Sequence, residues 1–161
     1  MDVITANEET VEIFSKVLTE ASEWLNSIGQ PMWKACDMTA RRLLEKYSME
    51  EMKLCYDNGN LIGVYVIQWN DPLFWSELNK NESGFLHKIA VCRECNGKGY
   101  GRKLIQSAEL LCKERNIQWL RLNCGTFRPR LRNFYESAGF KLLDRVCIDN
   151  RDQVRYFKEL L

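Results

Sequence analysis

The chain has 161 residues with 23 basic and 22 acidic side chains, a net charge of +1. That balance excludes a general nucleic-acid binder, which carries a basic excess. Its 45% hydrophobic and 28% charged residues are those of a globular protein, and no apolar run approaches the ~18 residues of a membrane span, so no membrane partner is expected.

Residues 1–6 read as a short strand and Asn7 as the N-cap of a helix, where Val11, Phe14, Leu18, Ala21, Leu25 and Ile28 recur at spacings of three and four. Gly29 ends that helix and Pro31 keeps it ended. Asp37 is expected to cap a second helix to about Tyr47, with Leu43, Leu44 and Tyr47 inward. The period then changes. Residues 53–56 and 61–69 read as strands around Asp57-Asn58-Gly59-Asn60, and Asn-Gly marks a hairpin. Residues 70–83 form a polar loop with Pro72, Phe74 and Trp75. Residues 84–92 are a strand feeding a glycine-rich turn, and a helix follows over 99–115. Residues 117–124 are the next strand. A helix begins near Pro129 and ends at Gly139, and 140–148 and 153–160 form a last antiparallel pair. The order is strand, two helices, three strands, helix, strand, helix, two strands. That is a mixed α/β class whose evident parallel crossover surrounds the glycine turn.

Gly97-Lys98-Gly99-Tyr100-Gly101 is the most informative stretch. Its three glycines let the main chain approach a ligand without Cβ atoms in the way. The first amides of the next helix then face that ligand, backed by the positive end of the helix dipole, which suits a phosphate or pyrophosphate. Lys98, Arg102 and Lys103 oppose the dipole there and make sense if an anion binds. A P-loop is excluded because Arg102, Lys103 and Leu104 follow Gly101, with no hydroxyl for Mg²⁺. A dinucleotide fingerprint is excluded by the glycine spacing, and because Asn123 and Cys124, not an acid, end the following strand. Cys92-x-x-Cys95 has no second pair, and His87 is the lone imidazole, so no metal is expected. The other cysteines (Cys36, Cys55, Cys112, Cys124 and Cys147) are scattered, which suits reduced thiols. The N-terminus lacks a basic segment followed by an apolar run, so a cytoplasmic protein without a signal peptide is expected.

The strand 86–91, the run Asn96-Gly97-Lys98-Gly99-Tyr100-Gly101-Arg102-Lys103-Leu104 and the later Asn133-Phe134-Tyr135-Glu136-Ser137-Ala138-Gly139-Phe140, in this element order, resemble the GNAT superfamily of acyl-CoA-dependent N-acetyltransferases. The family's [Q/R]-x-x-G-x-[G/A] falls on Asn96, Gly99 and Gly101. Its F/L-Y-E-x-x-G-F falls on Phe134, Tyr135, Glu136, Gly139 and Phe140. Asn96 replaces the usual Gln or Arg, and Arg128 stands where many members have Asn. The resemblance implies one domain over residues 1–161. It implies a central mixed, mostly antiparallel sheet of about seven strands flanked by about four helices. Acetyl-CoA is the implied co-substrate, wedged between two splayed parallel strands.

By the same resemblance, the main chain of Ile89, Ala90 and Val91 holds the pantetheine arm. The amides from Gly97 to Arg102 cradle the diphosphate with Lys98, Arg102 and Lys103. Asn96, Tyr100, Asn123, Arg128 and Arg130 complete the cofactor set. One of Arg128, Arg130 and Arg132 can meet the 3′-phosphate, or Arg132 simply pairs with Glu136 at i,i+4. The implied reaction is direct attack of a primary amine on the thioester. Tyr135 is the implied acid for the departing thiolate, or else a core aromatic. His87 titrates near working pH and, two residues before Ile89, shares its strand face. It either takes the amine's proton, lines the acceptor pocket or is structural. Asp71 and Glu77 either serve a cationic substrate or are solvated. Trp33 and Trp75, with Trp69 and Phe74, either wall the acceptor pocket or pack the core. The acceptor, a small-molecule or peptide amine, is not encoded, and both monomer and homodimer remain open. Two alternatives stand beside acetyl transfer: an inactive acyl-CoA-binding module, and an enzyme using a longer acyl chain.

Overall fold

Asn58 and Gly59 take positive φ of 51° and 78°, the two-residue geometry that matches the twist of a hairpin. In the computed structural model, which describes residues 1–161, this turn joins β2 (Met52–Asp57) to β3 (Asn60–Gln68). The other elements are β1 (Asp2–Thr5), α1 (Val11–Ser27), α2 (Ala40–Leu44), β4 (Ser83–Val91), α3 (Tyr100–Glu114), β5 (Trp119–Gly125), α4 (Pro129–Ser137), β6 (Lys141–Ile148) and β7 (Arg151–Glu159). The sheet runs in the order β1-β2-β3-β4-β5-β7-β6. Seven strands, mostly antiparallel, and four helices are the class and element order read from the sequence. Contacts divide the chain into two compact units: residues 1–67 with 88–104, and residues 68–87 with 105–161.

In the first unit, β1 pairs antiparallel with β2 and β2 with β3. The apolar stripe of α1 buries Val11, Phe14, Val17 and Leu18, and the strands bury Met52, Leu54, Val64 and Val66. Two local expectations are corrected. Thr10, not Asn7, is the N-cap of α1. Asn7 works one turn earlier, its Oδ1 accepting from the amides of Glu9 at 2.9 Å and Thr10 at 3.1 Å, because a short amide side chain closes a turn on its own backbone. Asp37 ends a 3-10 turn, and Thr39 caps α2 by accepting from the Arg42 amide. With only five residues, α2 buries Ala40 and Leu43 alone. Leu43 is buried, Leu44 is 39% exposed and Tyr47 is half-buried.

In the second unit, β4 and β5 pair in parallel from Ser83↔Trp119 to Phe85↔Arg121, and β7 lies antiparallel between β5 and β6. Pro129 opens α4, where its missing N–H costs nothing. Gly139 follows that helix at φ 93°. Asp149 and Asn150, at φ 50° and 60°, make the last hairpin a two-residue turn, so Arg151 already belongs to β7. Phe74, Trp75 and Phe85 form an aromatic core with Leu78, Val146 and Ile148 packed against it. No helix is long and apolar enough to cross a membrane.

Candidate active site

The first unit holds the glycine turn. After β4 the Cys92 amide donates to the Ile62 carbonyl at 2.9 Å. A 3-10 turn over Arg93–Cys95 follows, and Asn96 returns to extended backbone. Gly97 and Gly99 then take φ of 76° and 77°. An L residue pays about 1–2 kcal/mol in that left-handed region, which is the reason for glycine at both positions. A Cβ built on either would meet no protein atom within 4 Å, so the main chain there faces open space. Residues 96–99 are exposed, and the first turn of α3 carries Arg102 and Lys103 but no acid. Exposed left-handed glycines leading into helix amides, with Arg102 and Lys103 but no acid in the helix's own first turn, fit a polyanion such as a diphosphate.

Asp57, at the end of β2, joins this turn. Its Oδ2 lies 3.3 Å from Lys103 Nζ and accepts from Tyr100 Oη at 3.2 Å. The Lys103 hydrogen bond holds the Asp57 carboxyl below its usual range, while desolvation and Asp57 push the Tyr100 phenol up. Lys103 and Tyr100, expected at the cofactor, are thus tied to this carboxylate.

Lys88 in β4 has φ 50°, a strained value for a lysine in a strand. Strict alternation of faces does not carry across such a residue, so the spacing of two does not put His87 and Ile89 on one strand face. Lys88 Nζ sits 4.9 Å from the centroid of the half-buried Trp33 ring. Beyond it Ala90 is buried and Ile89 and Val91 are half-buried. Gly63 of β3 packs directly against this segment. A Cβ there would stand 2.5 Å from the Ala90 carbonyl oxygen and 2.7 Å from Leu104 Cδ1. Gly63→Ala is therefore expected to cost about 1–3 kcal/mol by pushing Ala90 and Leu104 aside. Urea unfolding checks it.

In the second unit, the parallel ladder covers three pairs, ending at Phe85↔Arg121. Both strands run on, into Leu86 and His87 of β4 and Leu122 and Asn123 of β5. Asn123 donates from Nδ2 to Gln153 Oε1 at 3.1 Å, and its buried Oδ1 accepts no hydrogen bond. Tyr135 on α4 is 5% exposed, packed against the rings of Phe134, Phe140 and Tyr156. Burial, with the Cys124 thiol as a smaller cause, pushes its phenol above the ordinary value. Arg128 is the N-cap residue of α4 and folds its stem over Gly125, and Arg130 is exposed. Arg132 does not bond Glu136 directly. It donates to Tyr156 Oη at 3.1 Å and the Thr126 carbonyl at 3.1 Å, while Tyr156 Oη donates to Glu136 Oε1 at 2.7 Å.

The acids of the 70–83 loop are not simply solvated. Asp71 is 6% exposed. Its Oδ1 accepts from the amides of Leu73 at 3.2 Å and Phe74 at 3.1 Å, and its Oδ2 lies 3.6 Å from His87 Nε2. Glu77 accepts from Arg155 Nη1 at 2.6 Å. Arg155 also bonds both Asp144 oxygens at 2.7 Å and the Phe74 carbonyl at 2.7 Å. Trp75, 1% exposed, lies under the guanidinium groups of Arg155 and Arg121 at 4.6 and 5.2 Å. Its ring is core, not the wall of an open pocket. The structure thus brings Asp71 to His87, and draws Glu77 and Trp75 into the Arg155 cluster. Arg155→Ala is expected to lower stability by about 2 kcal/mol in urea unfolding, less than for a fully buried pair, because Asp144 and Glu77 regain water.

Three residues escaped the sequence reading: Asp57, Gly63 and Arg155. A glycine inside the apolar run of β3 was a usable signal, since it marks close backbone approach. The partners of Arg155 lie 11 to 81 residues away along the chain, and no local pattern shows them. No group of three His, Cys, Asp or Glu side chains stands where it can hold a metal ion. Burial pushes the Cys92 thiol up to about 12, which makes it a poor ligand or nucleophile.

Known proteins share this fold. The curated "Uncharacterized N-acetyltransferase YesJ" of Bacillus subtilis (strain 168) is 24% identical over 149 residues, 84% of this chain and 78% of that protein. The crystal structure of a GNAT family acetyltransferase from Listeria monocytogenes 4b F2365 superposes with a TM-score of 0.79 at 22% identity, covering 99% of this chain and 94% of that one. AAC(6′)-Ib in complex with ribostamycin and coenzyme A superposes at 0.75 with 18% identity, covering 98% and 92%. The sequence model of the Acetyltransferase (GNAT) family matches residues 18–140, with the glycine turn and the Phe134-Tyr135-Glu136 helix both inside the match, and the chain belongs to that family.

Proposed function

We propose that this acetyltransferase moves the acetyl group of acetyl-CoA to a primary amine of a small molecule or peptide, with residues 1–161 acting as one catalytic domain. The observation that carries the reading is the glycine turn. Gly97 and Gly99 are left-handed, face open space and lead into a helix whose first turn carries Arg102 and an Asp57-paired Lys103. When bound, acetyl-CoA supplies an acyl group already activated as a thioester. The amides from Gly97 to Arg102 hold its diphosphate, aided by Lys98 and Arg102. The main chain of Ile89, Ala90 and Val91 orients the pantetheine arm, and Asn96, Asn123, Arg128 and Arg130 complete the contacts.

Tyr135 keeps its proton on Oη throughout the physiological range, because burial raises its phenol. A phenol so raised acts first as a hydrogen-bond donor to negative charge and gives up its proton only with difficulty. His87 takes the proton that the amine must lose. Trp33 flanks the acceptor. The seven free cysteines suit a reducing, cytoplasmic setting.

Calorimetric titration with coenzyme A, followed by thiol release from acetyl-CoA with a panel of amines, tests the reading. Binding with amine-dependent thiol release supports it. Binding with no release from any amine favours an acyl-CoA-binding module. Thermal shifts with acetyl-, succinyl- and longer acyl-CoAs rank the donors, since the tightest ligand stabilises most.

A further inference from the structure

The 70–83 loop carries three acids, Asp71, Glu77 and Glu82, and only one meets the imidazole. Glu77 is taken by Arg155. Glu82 accepts from the Asn79 amide at 3.1 Å and from its Nδ2 at 2.7 Å. Asp71 is buried against His87. Two backbone amides, those of Leu73 and Phe74, anchor its Oδ1 and so fix the carboxylate plane. Its Oδ2 is buried and accepts no hydrogen bond, with His87 Nε2 3.6 Å away. A buried carboxylate oxygen without a donor is costly. A proton on Nε2 relieves that cost after a shift of a few tenths of an ångström, the tightening that unliganded catalytic pairs commonly undergo.

We propose that Asp71 is the positioning residue of His87: it turns the ring, holds the proton on Nε2 and makes the imidazole a stronger base. This rests on the role given to His87 above. The other acids of the loop and the arginines Arg121 of β5 and Arg155 of β7 are engaged elsewhere, and Lys80 is exposed. Arg121 donates to Ser83 Oγ at 2.8 Å and stacks on Trp75, and Arg155 is held by Asp144 and Glu77. Asp71 therefore stands as the carboxylate that tunes the ring, in the manner of acids that orient histidines at other sites.

His87 is the sole histidine, so one imidazole signal reports the whole question by nitrogen-15 NMR on the intact protein. The neutral ring is expected as the Nε2–H tautomer. Asp71→Asn, which keeps an oxygen for the Leu73 and Phe74 amides, is expected to lower the titration midpoint by about one pH unit or more. An Nδ1–H tautomer in the wild type, or equal midpoints in the two proteins, overturns the proposal. The wild-type tautomer decides it even if the variant does not fold. A kinetic arm uses the fastest amine of the panel. The acidic limb of kcat/KM should move with the NMR midpoint in Asp71→Asn and vanish in His87→Gln. A limb that survives His87→Gln overturns the base role of His87, whatever the NMR shows for the pair.

Discussion

Gly99→Asp is expected to abolish coenzyme A binding at the proposed cradle while the protein still folds. The fold survives because a Cβ at this position meets no protein atom within 4 Å, and Asp tolerates the left-handed region better than most residues. Binding does not survive, because the new carboxylate stands in the space assigned to the diphosphate. Two unit charges about 4 Å apart near a protein surface repel by about 4 kcal/mol, and screening lowers this, so a loss of about 100-fold or more is expected. Gly99→Ala separates the causes. It carries the backbone strain without the charge and should weaken binding by about 10-fold. Circular dichroism monitors the fold and calorimetric titration the affinity. Tight binding by folded Gly99→Asp would show that the cofactor lies elsewhere.

Tyr135→Phe is expected to lower kcat by about 100-fold or more, with the KM for acetyl-CoA little changed, if Oη serves the departing thiolate as proposed. The ring keeps its packing against Phe134, Phe140 and Tyr156, so what is lost is the hydroxyl. In the proposed role that hydroxyl acts where the thiolate departs, not where the cofactor binds, so kcat and KM are expected to separate. The sign of the pH dependence follows from the raised phenol. A Tyr whose folded value lies above 10 stays protonated at every lower pH. Wild-type kcat should therefore show no alkaline limb from Tyr135 below about pH 10. Steady-state kinetics across pH 6 to about 10 checks both statements. Unchanged kcat in Tyr135→Phe would leave Tyr135 as a core aromatic alone.

The element order, the Asn58-Gly59 hairpin and the glycine turn before α3 are legible in the sequence because each depends on neighbours, whereas the last hairpin closes in two residues and not the four expected. Asn-Gly, Pro129 and Gly139 act through φ preferences and missing donors that need no distant partner. The caps of α1 and α2 were misplaced for the same local reason. Asn7 and Asp37 can each close a turn, and only the packing of the helix stripe decides which turn continues.

The sequence alone was enough to mark the glycine turn and the Phe134-Tyr135-Glu136 helix as the parts that speak for acetyl transfer. Which loop acids stay with solvent, that Asp57 holds Lys103, that Gly63 admits Ala90, and that Asp71 rather than Glu77 meets His87 were decided by the tertiary structure. Those facts come from burial and from contacts between residues far apart in the chain, and side-chain chemistry read one residue at a time does not contain them.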